Sequence, residues 1–131
     1  MNPEIIIIDD DEILLIILEK MIKKVMGDLD LKTFNSGTSA LAFLRNNPKA
    51  PEVSRFLLVD INLKDMTGWE FLTQLEQEKN QDFKAIVITS SVSLSNHSIA
   101  EKFRSVISFY EKPITFKIIE QIHEEILKNK N

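Results

Sequence analysis

The sequence predicts an α/β domain built on a parallel β-sheet with helices on both faces. Three observations carry that prediction. Short segments that are apolar throughout and rich in β-branched residues recur along the chain; strands covered on both faces read this way, because neither side meets water. Longer segments with apolar residues at helical spacing lie between them. The two kinds alternate, strand then helix, from one end of the chain to the other, and parallel neighbours need such crossover connections.

The first strand is Glu4–Ile8, which runs into Asp9, Asp10 and Asp11. Asp11 is placed to cap the first helix, since Asp is a good N-cap and acidic residues suit the positive end of a helix dipole. A cap does not account for the other two carboxylates, whose like charges repel. A cation that needs oxygen ligands would account for them. The first helix turns Leu14, Leu18, Met21, Ile22 and Val25 inward. On that phasing Ile13 and Ile16 fall near the opposite face, next to the acidic run. A weaker strand at Leu31–Phe34 leads through Ser-Gly-Thr-Ser to a helix with Ala40, Leu41 and Leu44 inward. Asn46 to Ser54, with Pro48 and Pro51, is a loop. The third strand, Phe56–Val59, ends in Asp60 and is followed by a helix facing in with Phe71, Leu72 and Leu75. Ala85–Thr89 is the fourth strand, with a helix expected from about Ser95 to Phe103. Val106–Phe109 is the fifth; it runs into Lys112-Pro113 and a last helix with Ile118, Ile119, Ile122 and Ile126 inward.

Size and composition exclude several classes of function. At 131 residues the chain is expected to be one domain, residues 1–131, with room for a proper core. Hydrophobic residues at 44% and charged residues at 27% are globular proportions, not those of a disordered or fibrous chain. A formal net charge of −4 gives nucleic-acid binding no electrostatic support. The absence of cysteine removes disulfides, thiolate metal sites and cysteine nucleophiles, and fits a reducing compartment. The N-terminus shows no basic segment with a cleavable apolar stretch, and the longest apolar run, Ile13 to Leu18, is far too short to span a bilayer. A cytoplasmic domain without membrane contact is the expectation.

In doubly wound sheets, ligands sit beyond the carboxyl ends of the strands. Strand one ends at Asp9 and Asp10, strand three at Asp60, strand four at Thr89, and strand five runs into Lys112. Three carboxylates, a hydroxyl and an ammonium thus converge on one edge.

This ordered set resembles the receiver domains of bacterial two-component response regulators, of the single-domain, chemotaxis-regulator-like type. The resemblance covers essentially the whole chain. It implies a flavodoxin-like (βα)5 fold with strand order 2-1-3-4-5 and Asp60 as the phosphoryl acceptor. It implies Mg2+ held by Asp9 and Asp10 together with Asp60 and the backbone carbonyl of Asn62. Thr89 is similar to the hydroxyl that contacts the phosphoryl group, and Lys112, followed by Pro113, to the lysine that pairs with its oxygens. Phe109 falls at the rotating aromatic position, and Gly68 matches the glycine eight residues past the acceptor. One departure stands at Lys64, where the family often has proline; it should loosen or reshape the turn and adds a cation near the site. The implied partners are a sensor histidine kinase or histidine phosphotransfer protein and an unidentified downstream protein, with no nucleic acid and no membrane. No output domain is expected, so the signal would pass by protein binding or by relay. The chain would catalyse only its own phosphorylation and dephosphorylation.

The chemistry asks for the same residue types. Phosphoryl transfer is mostly positioning and charge neutralisation. Mg2+ wants oxygen ligands and keeps several waters, so a few carboxylate oxygens plus a carbonyl suit it. Lysine offers a compact positive charge, and a threonine hydroxyl a neutral hydrogen bond. Two other functions compete with this one. A phosphatase with an aspartyl nucleophile would want a carboxylate as general acid two residues past Asp60, where the chain has Asn62. An interaction module that is never phosphorylated would not need the intact set. His97 and His123 lack carboxylate or histidine neighbours at metal spacing and receive no role. Trp69 is expected to pack at the start of the third helix and Met66 to fill space. Ile13 and Ile16, side by side near the acidic edge, are a candidate docking patch for a helix that carries a phosphohistidine.

Overall fold

Four consecutive isoleucines can be buried on both sides only in the middle of a layered structure, and that is where they lie. The structure, a computed structural model, describes residues 3–79, 81–90 and 94–130. Its elements are β1 (Glu4–Ile8), α1 (Glu12–Met26), β2 (Asp30–Phe34), α2 (Gly37–Asn46), β3 (Arg55–Asp60), α3 (Gly68–Glu76), β4 (Lys84–Thr89), α4 (Leu94–Ala100), β5 (Val106–Glu111) and α5 (Phe116–Asn129). The strands form one parallel sheet in the order β2-β1-β3-β4-β5. The order reverses at β1 and β3, which opens a crevice at their carboxyl ends.

Side-chain alternation divides the sheet into two apolar layers. Ile6, Ile8, Leu57, Val59, Ala85 and Val87 pack against α2 and α3 through Leu41, Leu44, Phe71 and Leu72. Ile5, Ile7, Phe56, Leu58, Ile86 and Ile88 face α1 and α5 through Leu18, Ile22, Ile119 and Ile122. Each such fully buried side chain is worth about 1.5–3 kcal/mol relative to an exposed one. The helices begin on side-chain caps at Asp11, Ser36, Thr67 and Thr115, and Thr67 forms a reciprocal capping box with Glu70.

Three expectations need correcting in detail. The centre of the α1 stripe is Leu15, Leu18 and Ile22; Leu14, Met21 and Val25 are its half-buried flanks. Helix α4 ends at Ala100, short of Phe103, because the chain tightens into turns in which Lys102 N–H donates to Ile99 O and Phe103 N–H to Ala100 O. Strands β2 and β5 are the sheet edges and are half-buried, and β5 continues past Phe109 to Glu111. Among the described residues no helix is long and apolar enough to cross a membrane.

Candidate functional site

Strand register builds the site. Ile8 of β1 pairs with Val59 of β3, so the next residues, Asp9 and Asp60, emerge side by side at the carboxyl edge. Carboxylate oxygens of Asp9, Asp10 and Asp60 lie within 4.8 Å of one another. Asp9 is fully buried and Asp60 is 3% exposed, while Asp10 is half-buried. Asp11 caps α1 as expected, accepting from Leu14 N–H at 3.1 Å, and its own N–H donates to Asp9 Oδ1 at 2.9 Å. The run of three aspartates therefore divides its labour: two turn into the crevice and the third starts the helix.

Lys112 reaches into the same crevice. Its Nζ donates to Asp60 Oδ2 at 3.1 Å and stands 2.8 Å from Asp9 Oδ2. The ammonium approaches Asp9 too obliquely for a directed hydrogen bond, so that fully buried oxygen has a charge beside it and no donor aimed at it. Asp60 Oδ1 accepts from Asn62 N–H at 3.1 Å. Burial pushes the Asp9 carboxyl above its ordinary range and the charge of Asp60 adds to this; Lys112 and Asp11 N–H offset only part. Burial pulls the Lys112 ammonium down, but the carboxylates of Asp9 and Asp60 outweigh it and leave its pKa raised. A set of hard oxygens around an unsatisfied buried carboxylate oxygen suits a small divalent cation of the Mg2+ kind. The residues present fit such an ion.

Thr89 is fully buried at the end of β4, and its carbonyl accepts from Lys112 N–H at 2.8 Å. The Lys112–Pro113 peptide that follows is cis. Thr89 pairs in register with Glu111, and Val87 with Phe109, so Thr89 and Phe109 are diagonal neighbours on one face of the sheet. The half-buried Phe109 ring stacks on His97 of α4, with centroids 4.5 Å apart and planes at 25°.

The turn after Asp60 is held at several points even though Lys64 stands in place of proline. Gly68 N–H donates to Ile61 O at 2.7 Å, and Asn62 bridges to Thr67. A Cβ on Gly68 would sit 2.6 Å from Asp60 O and 2.9 Å from Ile61 Cα, so only glycine lets α3 start this close to the end of β3. Asp65 ties the turn to α2, accepting from Gly37 N–H at 3.1 Å, Thr38 N–H at 2.8 Å and the Thr38 hydroxyl at 2.6 Å. Those bonds hold its carboxyl below the ordinary range, the Thr38 hydroxyl most of all. Lys64 itself is exposed and shares an open depression of about 440 Å3 with Asp10, Asp11, Glu12 and Ile13.

Ile13 and Ile16 are 71% and 57% exposed on α1, as the helical phasing requires, and Ile17 at 47% extends the patch. A groove of about 630 Å3 lies beside it, lined by Glu12, Leu15, Ile16, Glu19, Phe34 and Asn35. Ile17 was legible from its i+4 spacing to Ile13. Asp65 and His97 were not, because nothing local to either residue points to a partner on another element. Trp69 packs at the start of α3 as expected, stacked on Phe103 at 5.4 Å, and its Nε1–H donates to Asn96 Oδ1 at 3.4 Å. Met66 fills space as expected, with its side chain lying against Gly37.

Comparison with known families gives a match to the response regulator receiver domain over residues 5–124. No curated protein matches the chain. Among solved structures, a two-component response regulator from Legionella pneumophila is 22% identical with a TM-score of 0.81, covering 97% of this chain and 99% of that one. A CheY-like response regulator receiver domain protein from Methanospirillum hungatei is 22% identical with a TM-score of 0.79, covering 98% and 96%. The phosphorylated cyanobacterial phytochrome response regulator RcpA is 19% identical with a TM-score of 0.82, covering 100% and 98%. At these identities the likeness is one of fold.

Proposed function

This chain belongs to the response regulator receiver domain family, and from that premise we propose that it is a phosphoacceptor signalling switch with Asp60 as the acceptor. One observation carries the reading: the buried Asp60 carboxylate lies among Asp9, Asp10 and Lys112 at the sheet's switch point. A carboxylate oxygen of Asp60 attacks phosphorus, an O–P bond forms, and the P–N bond to the donor histidine breaks. Asn62 N–H holds Oδ1 and so fixes the plane of the carboxylate. Lys112 supplies positive charge to the phosphoryl oxygens, and the Thr89 hydroxyl a hydrogen bond. Asp9, Asp10 and Asp60, with the Asn62 carbonyl, would hold Mg2+, whose chemistry there is to neutralise charge between two anions. The product is an acyl phosphate, whose lability suits a signal. The chain acts on itself and does not turn over a separate substrate.

The donor is a histidine kinase or a histidine phosphotransfer protein, and the apolar patch of Ile13, Ile16 and Ile17 beside the acidic edge is where its helix docks. Output passes by protein binding or by onward transfer. An aspartyl phosphatase is the weaker reading, because Asn62 stands where its general acid would be.

The test is incubation with Mg2+ and acetyl phosphate, followed by intact-mass measurement. One acid-stable, base-labile phosphoryl group is expected on the wild type, and none after chelation or in Asp60→Asn. Stoichiometric labelling of the Asn variant at another residue would sink the assignment.

A further inference from the structure

Helix α4 has only seven residues, and two neighbouring side chains tie it to different elements. Asn96 accepts from the Trp69 indole of α3, and His97 stacks on Phe109 of β5. Trp69 follows Gly68, whose backbone lies against Asp60, and Phe109 shares a sheet face with Thr89. The exposed His97 ring lies over the half-buried ring of Phe109 and no other ring stack holds Phe109 among the described residues.

We propose that His97 is a positioning residue for the switch: its ring holds Phe109 in the resting orientation and couples any rotation of Phe109 to α4. This rests on the receiver reading above, with Phe109 at the rotating aromatic position that the resemblance implies: a phosphoryl group on Asp60 draws the Thr89 hydroxyl toward its oxygens, and Phe109 turns inward toward the space left behind. The consequence follows from where the contact exists. Phe109 cannot turn inward and keep its face against His97, so the stack stabilises the resting state alone. A contact present in one state only biases the equilibrium by its full worth. Ring pairs of this kind correspond to a population ratio of about two- to tenfold. Removing the His97 ring should therefore favour the switched state, and a substitute that keeps a flat ring should not.

The experiment titrates beryllofluoride, a phosphoryl mimic, into the full chain with Mg2+ at fixed pH. Amide shifts and the fluorescence of the single tryptophan, Trp69, report the response. For His97→Ala the beryllofluoride midpoint should fall about two- to tenfold, with resting amide shifts of α4 and β5 already displaced toward the switched positions. His97→Phe should restore the wild-type midpoint. Ring-proton contacts between His97 and Phe109 in the wild type should disappear on saturation. An unchanged midpoint in His97→Ala, or ring contacts that persist at saturation, overturns the role of His97 while leaving Asp60 as acceptor. A wild type with no Asp60-dependent response at all overturns both.

Discussion

Lys112 stands between two carboxylates that would otherwise repel, with its Nζ 2.8 Å from Asp9 and 3.1 Å from Asp60. Replacing it by methionine leaves a buried carboxylate uncompensated, a change worth about 3 kcal/mol or less here because the ammonium is partly exposed. The sign with pH follows from Asp9. Its folded pKa is raised, so above the ordinary value of 3.8 the folded state binds more protons than the unfolded one, and stability falls as pH rises through that window. The deficit of Lys112→Met against wild type should accordingly shrink as pH is lowered from 7 and Asp9 takes up a proton, which denaturant melts across pH would show. The same strain predicts that Asp9→Asn stabilises the metal-free chain by a few degrees, the shift that about 1 kcal/mol produces in a domain of this size. Millimolar Mg2+ should raise the wild-type melting temperature by mass action and Asp9→Asn should blunt that rise. Melting indifferent to both would mean that the carboxylates do not act as one site.

Among the elements, the segment from β3 to α3 places Asp60, the proposed acceptor, and its two anchors differ in kind. Gly68 is a steric anchor: an added methyl meets backbone atoms of Asp60 and Ile61, which cannot swing aside. Gly68→Ala should cost about 1–3 kcal/mol and slow labelling of Asp60 by acetyl phosphate, because α3 must back away from the strand end. Asp65 is an electrostatic anchor that caps α2 from across the crevice. Its carboxyl is held low, so its contribution is present above the ordinary value of 3.8 and is lost as pH falls through the lower folded pKa. Asp65→Ala should melt below wild type at neutral pH, and the two curves should converge in acid. The resemblance to the receiver family singled out Gly68, eight residues past Asp60. The reason for the glycine, and the whole role of Asp65, needed α2 and α3 side by side.

At the scale of the molecule, the sheet carries the site on one edge, and the proposed switch runs along the face that β4 and β5 share. Thr89 and Phe109 share that face, and α4 lies on it through His97. Thr89→Ala should leave Asp60 able to accept the group but cut the route from the crevice to α4. Amide shifts with beryllofluoride are expected to spread from Asp60 to residues 94–112 in the wild type and to stay around the crevice in Thr89→Ala. Shifts confined to the crevice in the wild type as well would favour relay of the phosphoryl group over a binding switch.

The sequence by itself determined the kind and order of the elements and the residues that stand at the strand ends. Both follow from patterns only a few residues long: unbroken β-branched runs, stripes at 3.6 spacing, and polar residues where the runs stop. Asp9, Asp10, Asp60, Thr89 and Lys112 could be named before any fold was drawn because each closes or follows such a run. What only the tertiary structure decided was which distant groups meet. Lys112 reaches Asp60 across 52 positions and Asp65 reaches Gly37 across 28. Leu15 rather than Leu14 centres the α1 stripe, β2 and β5 are left at the edges, and His97 lies over Phe109. Periodicity marks a helix face only to within about one residue's turn, 100°, and carries nothing about its neighbour. Strand order and helix docking select that neighbour, through the packing of both faces of the sheet at once.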